Sequence, residues 1–187
     1  MHAAICFSSE RLHIRSPQAG SLESDAAALF EAVCASLPQL RQFPASLPWV
    51  KYEPSLESSR AYLLSAISNT AQGRDFPLLI FTHDGALAGC SGLHHPDFAT
   101  GRFELGFWGN QALARCGYIT EAAQAIIQFA FDAWQAREVY ALVDDLNPRA
   151  IALCERAGMR QQALLRAERF DADGRARDTR VMICGNE

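Results

Sequence analysis

Hydrophobic positions follow two different periods along the chain, and together these periods predict an α/β (α+β) fold. Apolar residues recur at helical spacing over residues 25–40, 55–68, 119–135 and 147–158. Alternating or continuous apolar runs predict strands over residues 8–15, 76–82, 86–93, 101–108, 139–144, 164–170 and 179–184. The strands therefore cluster in the middle and at the end of the chain, which does not fit a strict alternation of strand and helix.

Composition and charge narrow the class of protein. The 187 residues include 17 Lys and Arg against 21 Asp and Glu, so the net charge is −4 at pH 7. This length suits one domain spanning 1–187. Nucleic acids and anionic membranes both attract basic surfaces, and no apolar run is long enough to span a bilayer. We therefore expect a single soluble domain that binds neither nucleic acid nor membrane.

The spacing of the cysteines indicates the cellular compartment in which the protein works. The six cysteines are scattered and form no C-x-x-C pair, which argues against a disulfide framework and against a zinc site. The first ten residues lack the basic and apolar regions of a signal peptide. We expect a cytoplasmic protein without a metal ion.

A strand, a loop and a helix between residues 104 and 122 carry the main chemical signal. The N–H groups at the start of a helix lack intrahelical partners and lie at the positive end of the helix dipole, so they can bind phosphate. Gly117 allows the backbone to approach an anion closely, and Arg115 adds positive charge. Taken alone, this pattern also fits an ordinary loop before a packed helix.

The same stretch resembles the acyl-CoA motif of the GNAT acetyltransferases, most closely their RimJ/RimL-like branch, which acetylates protein N-termini. The family pattern is a strand E-x-G-Y/F-W and a loop R-G-x-G-Y-x-T-E-A. The matching residues are Glu104, Gly106, Phe107, Trp108, Gly117, Tyr118, Thr120, Glu121 and Ala122. The segments NPRAIALCERAGM, SSERLHIR and ERFDADGRARD also resemble the family. The resemblance implies a GNAT fold, with a mixed central sheet of about six to seven strands flanked by helices and splayed at the acyl-CoA site.

The resemblance also implies acetyl-CoA as co-substrate and assigns roles in binding it. The backbone of Phe107 and Trp108 would pair with the pantetheine arm where the central strands splay. The residues that would wrap the pyrophosphate are Ala114, Arg115, Cys116, Gly117, Tyr118, Ile119 and Thr120. The side chain of Asn147 would hold the pantetheine or the acetyl end, and a plain helix cap is its alternative role.

Two glutamates are candidates for the base that takes a proton from the acceptor amine. Glu168 matches the late-strand glutamate of the RimL-like branch, and we favour it slightly. Glu104 lies on the central strand, where the wider family often places its base. A solvated strand charge or a salt bridge is the alternative for each. Ala150 and Cys154 stand where relatives often have Ser and Tyr, so the resemblance identifies no general acid.

The acceptor is predicted from the cost of neutralising an amine. An α-amine has a pKa near 8 and costs about 1 kcal/mol to neutralise at pH 7, whereas a lysine costs about 4.6 kcal/mol. This cost favours an α-amine but excludes neither lysine nor a small polyamine. Together with it, the resemblance to the RimJ/RimL-like branch implies an N-acetyltransferase that acts on a protein N-terminal α-amine. Alternatives are a small-molecule amine acetyltransferase and a non-catalytic acyl-CoA sensor. Trp49 is a candidate to stack over the acceptor, or else a residue at the core edge, and the branch often forms homodimers.

Overall fold

The computed structural model describes residues 3–171 and 173–185. Its strands form one sheet in the order β1-β2-β3-β4-β5-β6-β8-β7. The strands are β1 (Cys6–Ser8), β2 (Leu12–Arg15), β3 (Phe76–Thr82), β4 (Leu87–Asp97), β5 (Arg102–Gly109), β6 (Glu138–Asp144), β7 (Arg160–Phe170) and β8 (Ala176–Gly185). The helices are α1 (Leu22–Leu40), α2 (Leu56–Gln72), α3 (Tyr118–Trp134) and α4 (Pro148–Arg156). The predicted fold class is confirmed.

The first predicted strand, over residues 8–15, is wrong in detail. The chain turns after Ser8, where the Ser9 N–H bonds to the Leu12 carbonyl, and β1 then pairs antiparallel with β2. This extra hairpin strand is why the described sheet has eight strands and not about six to seven.

The helix α2 begins at a side-chain cap, whereas α1 does not. α2 begins after Ser55, whose hydroxyl accepts from the Ser58 N–H while the Ser58 hydroxyl accepts from the Ser55 N–H. α1 begins three residues before the predicted position 25. Asp25 lies inside the helix, where it forms a buried ion pair with Arg15 at 2.7 Å.

Different helices cover the two faces of the sheet. On one face, alternate residues such as Phe103, Leu105 and Val139 pack against the apolar stripe of α3. On the other face, Leu79 and Cys90 pack against α1 and α2. Because side chains alternate along a strand, Glu104, Gly106 and Trp108 lie on the α1–α2 face. Within the described residues, no helix combines the length and apolar character needed to cross a bilayer.

The central strands diverge and leave a wedge in the sheet. β5 and β6 run parallel and pair only from Arg102–Glu138 to Glu104–Tyr140. Beyond this point β5 stays with β4 as far as Gly109, and β6 stays with β8 as far as Asp144. The facing backbone edges of the two strands therefore become available to a ligand.

Candidate functional site

A cleft of about 740 Å³ occupies the wedge between β5 and β6. Residues 104–109 form one wall and residues 141–144 the other, with the starts of α3 and α4 at the sides. The predicted site residues that line it are Glu104, Phe107, Trp108, Ala114, Arg115, Gly117, Tyr118, Ile119, Thr120 and Asn147. The structure thus brings most of the predicted site into one cavity. Glu168, Cys116 and Trp49 do not line it.

The loop before α3 presents a run of backbone N–H groups to this cleft. The Ala114 N–H bonds to the Gln111 carbonyl, and the Glu121 N–H bonds to the Gly117 carbonyl. The N–H groups of residues 115–120 lie between these bonds, outside the helical ladder. Arg115 (φ 68°) and Gly117 (φ 79°) adopt left-handed conformations, and such alternation of backbone handedness builds a concave anion site. The loop therefore fits a pyrophosphate.

Arg11, a residue that the sequence did not single out, holds this loop in place. Its Nε donates to Glu121 Oε2 at 2.7 Å and its Nη1 donates to the Cys116 carbonyl at 3.0 Å. The guanidinium also lies 4.9 Å from the centre of the Tyr118 ring. The Arg11–Glu121 contact joins residues 110 positions apart, so no local pattern could have revealed it.

Glu121 is the anchor that receives these bonds. Besides Arg11, the Ser9 hydroxyl donates to its Oε1 at 2.7 Å. Partial burial alone would raise the pKa of Glu121, but the bonds from Ser9 and Arg11 outweigh it and lower that pKa. The carboxylate therefore stays ionised and ties the first turn of α3 to the segment before β2.

Ile119 sets how closely α3 approaches the sheet. A Cβ on Gly89 would lie 2.8 Å from Ile119 Cδ1, and a Cβ on Gly109 would lie 2.9 Å from Ile119 Cγ1. Both strands therefore need glycine beneath this side chain. The bulk at position 119 is accommodated by the two glycines and removes no backbone donor from the loop.

Asn147 both caps α4 and lines the cleft. Its Oδ1 accepts from the Ala150 N–H at 3.1 Å, so it caps α4. The residue also lines the cleft. The cap occupies the amide oxygen of Asn147. Contact between this side chain and a ligand stays a prediction.

The two candidate glutamates lie in different surroundings. Glu104 lines the cleft beside the last β5–β6 pair, and its side chain is 20% exposed. Burial raises the pKa of Tyr140 on the facing strand, and the charge of Glu104 raises it further. Glu168 accepts from Thr179 Oγ1 at 2.7 Å and pairs with Arg169 Nε at 3.0 Å. Of the two candidates, Glu104 lines the cleft and Glu168 does not.

The remaining candidates lie around the cleft. Cys116 is exposed. Trp49 is 39% exposed, and its ring centre lies 6.0 Å from that of Trp108, which does line the cleft. Cys154 is fully buried, and burial raises the pKa of its thiol to about 12. Among the described residues, no group of three or more His, Cys, Asp or Glu side chains is placed to hold a metal ion.

Comparisons with known proteins agree with this geometry. Residues 11–160 match the Acetyltransferase (GNAT) domain family. A search of curated protein sequences finds no match. The microcin self-immunity acetyltransferase MccE, solved with acetyl-CoA and AMP, is similar with a TM-score of 0.84 and 15% identity, over 95% of this chain and 94% of that one.

Two solved ribosomal-protein acetyltransferases are also similar. RimL, an alpha-N-protein acetyltransferase in complex with coenzyme A, has a TM-score of 0.85 and 19% identity, over 97% of this chain and 98% of that one. A ribosomal-protein-alanine acetyltransferase from Vibrio fischeri has a TM-score of 0.77 and 14% identity, over 98% of this chain and 97% of that one. At these identities the likeness establishes the fold.

The family match spans the anion loop, both walls of the wedge and α4. The predictions of the family and of an acetyltransferase are confirmed. The chain belongs to the GNAT acetyltransferase family.

Proposed function

We propose that the protein transfers the acetyl group of acetyl-CoA directly to the α-amine of a protein N-terminus, within a ternary complex. The observation that carries the proposal is the wedge between β5 and β6. It brings the loop at the start of α3, which would bind an anion, and Glu104 into a single cleft. One end suits the phosphates of the donor, and the other suits a cationic acceptor.

The donor would bind mainly through the backbone. The N–H groups of residues 115–120 would surround the pyrophosphate, with the charge of Arg115 beside them. Phe107 and Trp108 lie beyond the last β5–β6 pair, so the edge of β5 can bond an extended pantetheine arm. Asn147 lies across the cleft, where its side chain would reach the pantetheine or the acetyl end.

The chemistry needs a neutral amine and a leaving thiolate. The amine nitrogen would bond to the thioester carbonyl carbon, the C–S bond would break, and sulfur would leave with the electron pair. The proton that the nitrogen loses would pass to the thiolate or to water. A CoA thiol with an ordinary pKa of about 8.5 is a tolerable leaving group without a dedicated acid. The burial of Cys154 and its raised pKa therefore do not prevent turnover.

The choice of acceptor rests on the cost of neutralising the amine and on the relatives. An α-amine is easier to neutralise than a lysine, and two similar structures are named as ribosomal-protein acetyltransferases. A small-molecule amine is the second candidate, because MccE, named for microcin self-immunity and solved with AMP, is equally similar in fold.

An acceptor panel separates these candidates. Purified protein and acetyl-CoA would be mixed with peptides that carry a free α-amine, with the same peptides blocked at the N-terminus but carrying a free lysine, and with amino acids and polyamines. We expect release of CoA thiol with the free α-amine peptides and much less with their blocked counterparts. Release with small amines alone would support the second candidate, and release with no acceptor would refute acetyl transfer.

We also propose a single domain over 1–187 that works in the cytoplasm. The strands of the one sheet come from nearly the whole described chain, from Cys6 at the start of β1 to Gly185 at the end of β8. Cys6, Cys34 and Cys116 are exposed thiols, which suits a reducing compartment.

A further inference from the structure

Most arginines of the chain pair with a carboxylate, but those on α4 do not. The paired arginines are Arg11, Arg15, Arg41, Arg60, Arg102, Arg166, Arg169, Arg175, Arg177 and Arg180. Within residues 3–171 and 173–185, the side chains of Arg115, Arg149 and Arg156 have neither an ion pair nor a hydrogen bond. All three residues line the cleft. The cleft of a protein with a net charge of −4 thus holds guanidinium groups whose charge is not neutralised by a neighbouring carboxylate.

The two arginines of α4 lie on the same face of the helix. Positions three, four and seven apart share one face of an α-helix. The cleft-lining residues of α4 with this spacing are Arg149, Ala152, Leu153 and Arg156. Seven residues of helix rise about 10 Å, and the small side chain of Ala152 leaves space between the two arginines. Both long side chains can therefore reach one anion that lies between them.

This face of α4 lies close to the loop before α3. Gln124 on α3 donates from its Nε2 to the Arg156 carbonyl at 2.9 Å. Gln124 belongs to the second turn of α3, whose first turn begins at Tyr118. The start of α3 and the arginine face of α4 line the same cleft. The cationic side chains of α4 therefore stand beside the backbone N–H groups that would bind the pyrophosphate.

The proposed donor has one phosphate more than this loop accounts for. Acetyl-CoA carries a pyrophosphate and, on the 3′ oxygen of its ribose, a separate phosphate monoester. A phosphate monoester bears a charge of about −1.5 to −2 at pH 7 and offers three acceptor oxygens. The planar fork of a guanidinium matches the oxygens of a phosphate in a bidentate contact. Two unpaired arginines beside the pyrophosphate loop therefore suit this group.

We propose that Arg149 and Arg156 form a second phosphate site, which binds the 3′-phosphate of the donor and favours CoA over its 3′-dephospho form. This inference rests on the proposed function, in which acetyl-CoA is the donor. The 3′-phosphate takes no part in the bonds that form and break, so the site contributes to donor binding and not to the chemical step. Its loss should raise the KM for acetyl-CoA and leave kcat at saturating acetyl-CoA unchanged.

Two ordinary roles for these arginines predict a different result. An exposed arginine often contributes only solvated surface charge, and Arg156 in the last turn of α4 also stabilises the helix through its dipole. Neither role depends on whether the ligand carries a 3′-phosphate. A comparison of two ligands that differ in this group alone therefore separates the proposed site from both alternatives.

The test measures the Kd of CoA and of 3′-dephospho-CoA by isothermal titration. The variants are Arg149→Gln, Arg156→Gln and the double variant. Arg160→Gln is the matched control, because Arg160 is an exposed arginine on β7 that does not line the cleft and has no ion pair among the described residues. Glutamine has nearly the same helix propensity as arginine, and the replaced side chains are exposed, so the variants should fold.

We expect the wild-type protein to bind CoA about tenfold more tightly than 3′-dephospho-CoA, since two exposed charge pairs contribute about threefold each. Each single variant should raise the Kd for CoA about threefold, and the double variant about tenfold. The Kd for 3′-dephospho-CoA should change by less than about twofold in all variants, because charges on the exposed surface are screened by salt. Arg160→Gln should leave both Kd values unchanged.

The outcomes separate the two levels of the account. If the wild-type protein binds CoA no better than 3′-dephospho-CoA, or if the double variant keeps the wild-type preference, the inference is wrong and the proposed function stands. The inference is also wrong if the α4 variants weaken both ligands equally, or if Arg160→Gln causes the same loss. If the wild-type protein binds neither ligand, the proposed donor and with it the proposed function fail.

Discussion

The two ends of the cleft are built in different ways. At the proposed donor end, the groups that would bind the pyrophosphate are backbone N–H groups of one short loop, residues 115–120, at the start of α3. Elsewhere the cleft is lined by side chains from separate elements, such as Glu104 on β5 and Arg169 on β7. Donor binding therefore depends on loop conformation, whereas acceptor chemistry depends on how distant strands and helices are placed.

The largest effect that this comparison predicts is loss of donor binding in Gly117→Glu. The position has φ 79°, and a carboxylate there would meet the phosphates. Loss of two charge-assisted bonds, about 1.5 kcal/mol each or more, corresponds to at least a roughly 100-fold rise in Kd. Isothermal titration with acetyl-CoA measures it. Gly85→Glu, at a turn with φ 90° and open space around it, should bind normally; unchanged affinity in Gly117→Glu would mean that the phosphate loop is wrongly assigned.

A smaller effect is expected at the acceptor end in Glu104→Gln. Loss of the carboxylate removes the attraction for the cationic amine, so kcat/KM for the acceptor should fall about 10- to 100-fold while acetyl-CoA binding stays the same. Glu168→Gln is the matched control and should change kcat/KM less than about threefold. The reverse order of effects would mean that Glu168, and not Glu104, is the carboxylate that acts on the acceptor.

The same variant carries a spectroscopic prediction. The negative charge of Glu104 disfavours a tyrosinate at Tyr140 and so raises its pKa, in addition to the effect of burial. Glu104→Gln should therefore shift the pKa of Tyr140 downward, toward its usual value, in an ultraviolet pH titration. An unchanged tyrosine titration would mean that the two groups do not interact.

Arg11→Ala should weaken the donor end indirectly. Removing the bonds to Glu121 and to the Cys116 carbonyl frees the loop, and we expect roughly a tenfold rise in the Kd for acetyl-CoA.

The same variant should change how stability depends on pH. The pKa of Glu121 is lowered in the fold. The contribution of Glu121 to stability is therefore present above about pH 4.3 and is lost as the pH falls through the lower pKa that this carboxyl has in the folded protein. Thermal unfolding between pH 3 and 6 should therefore show a weaker acid dependence in Arg11→Ala. An identical dependence would show that Arg11 does not hold Glu121.

The smallest effect is expected for Ile119→Ala. The side chain fills the space above Gly89 and Gly109, so its removal should cost about 1–3 kcal/mol of unfolding free energy. The backbone donors remain, so acetyl-CoA affinity should change only a few-fold. A large loss of affinity with little loss of stability would mean that Ile119 contacts the ligand and does not act mainly as a packing residue.

The comparison also explains which parts could be predicted from the sequence. The proposed donor loop is contiguous, so Gly117, Tyr118, Thr120 and Glu121 could be matched to the family motif from the sequence. The capping role of Asn147 was likewise visible as Asn before Pro. Local chemistry determines these features, and local patterns reveal them.

Features that depend on tertiary contacts were not predictable in this way. Arg11 reaches Glu121 across 110 positions. Asp75 and His94 meet only because β3 and β4 pair, and the space for the ring depends on Gly106 on a third strand. The β1–β2 hairpin was missed because its short turn at Ser9 interrupts no strong apolar pattern.

The most direct test of the account uses a peptide that carries both a free α-amine and an internal lysine. The protein, acetyl-CoA and this peptide would be incubated at neutral pH, and tandem mass spectrometry would locate the added acetyl group, with Gly117→Glu as the inactive control. The account predicts one acetyl group on the α-amine with the wild-type protein and none with the control. An acetyl group on the lysine, or no acetyl group with the wild-type protein, would contradict it.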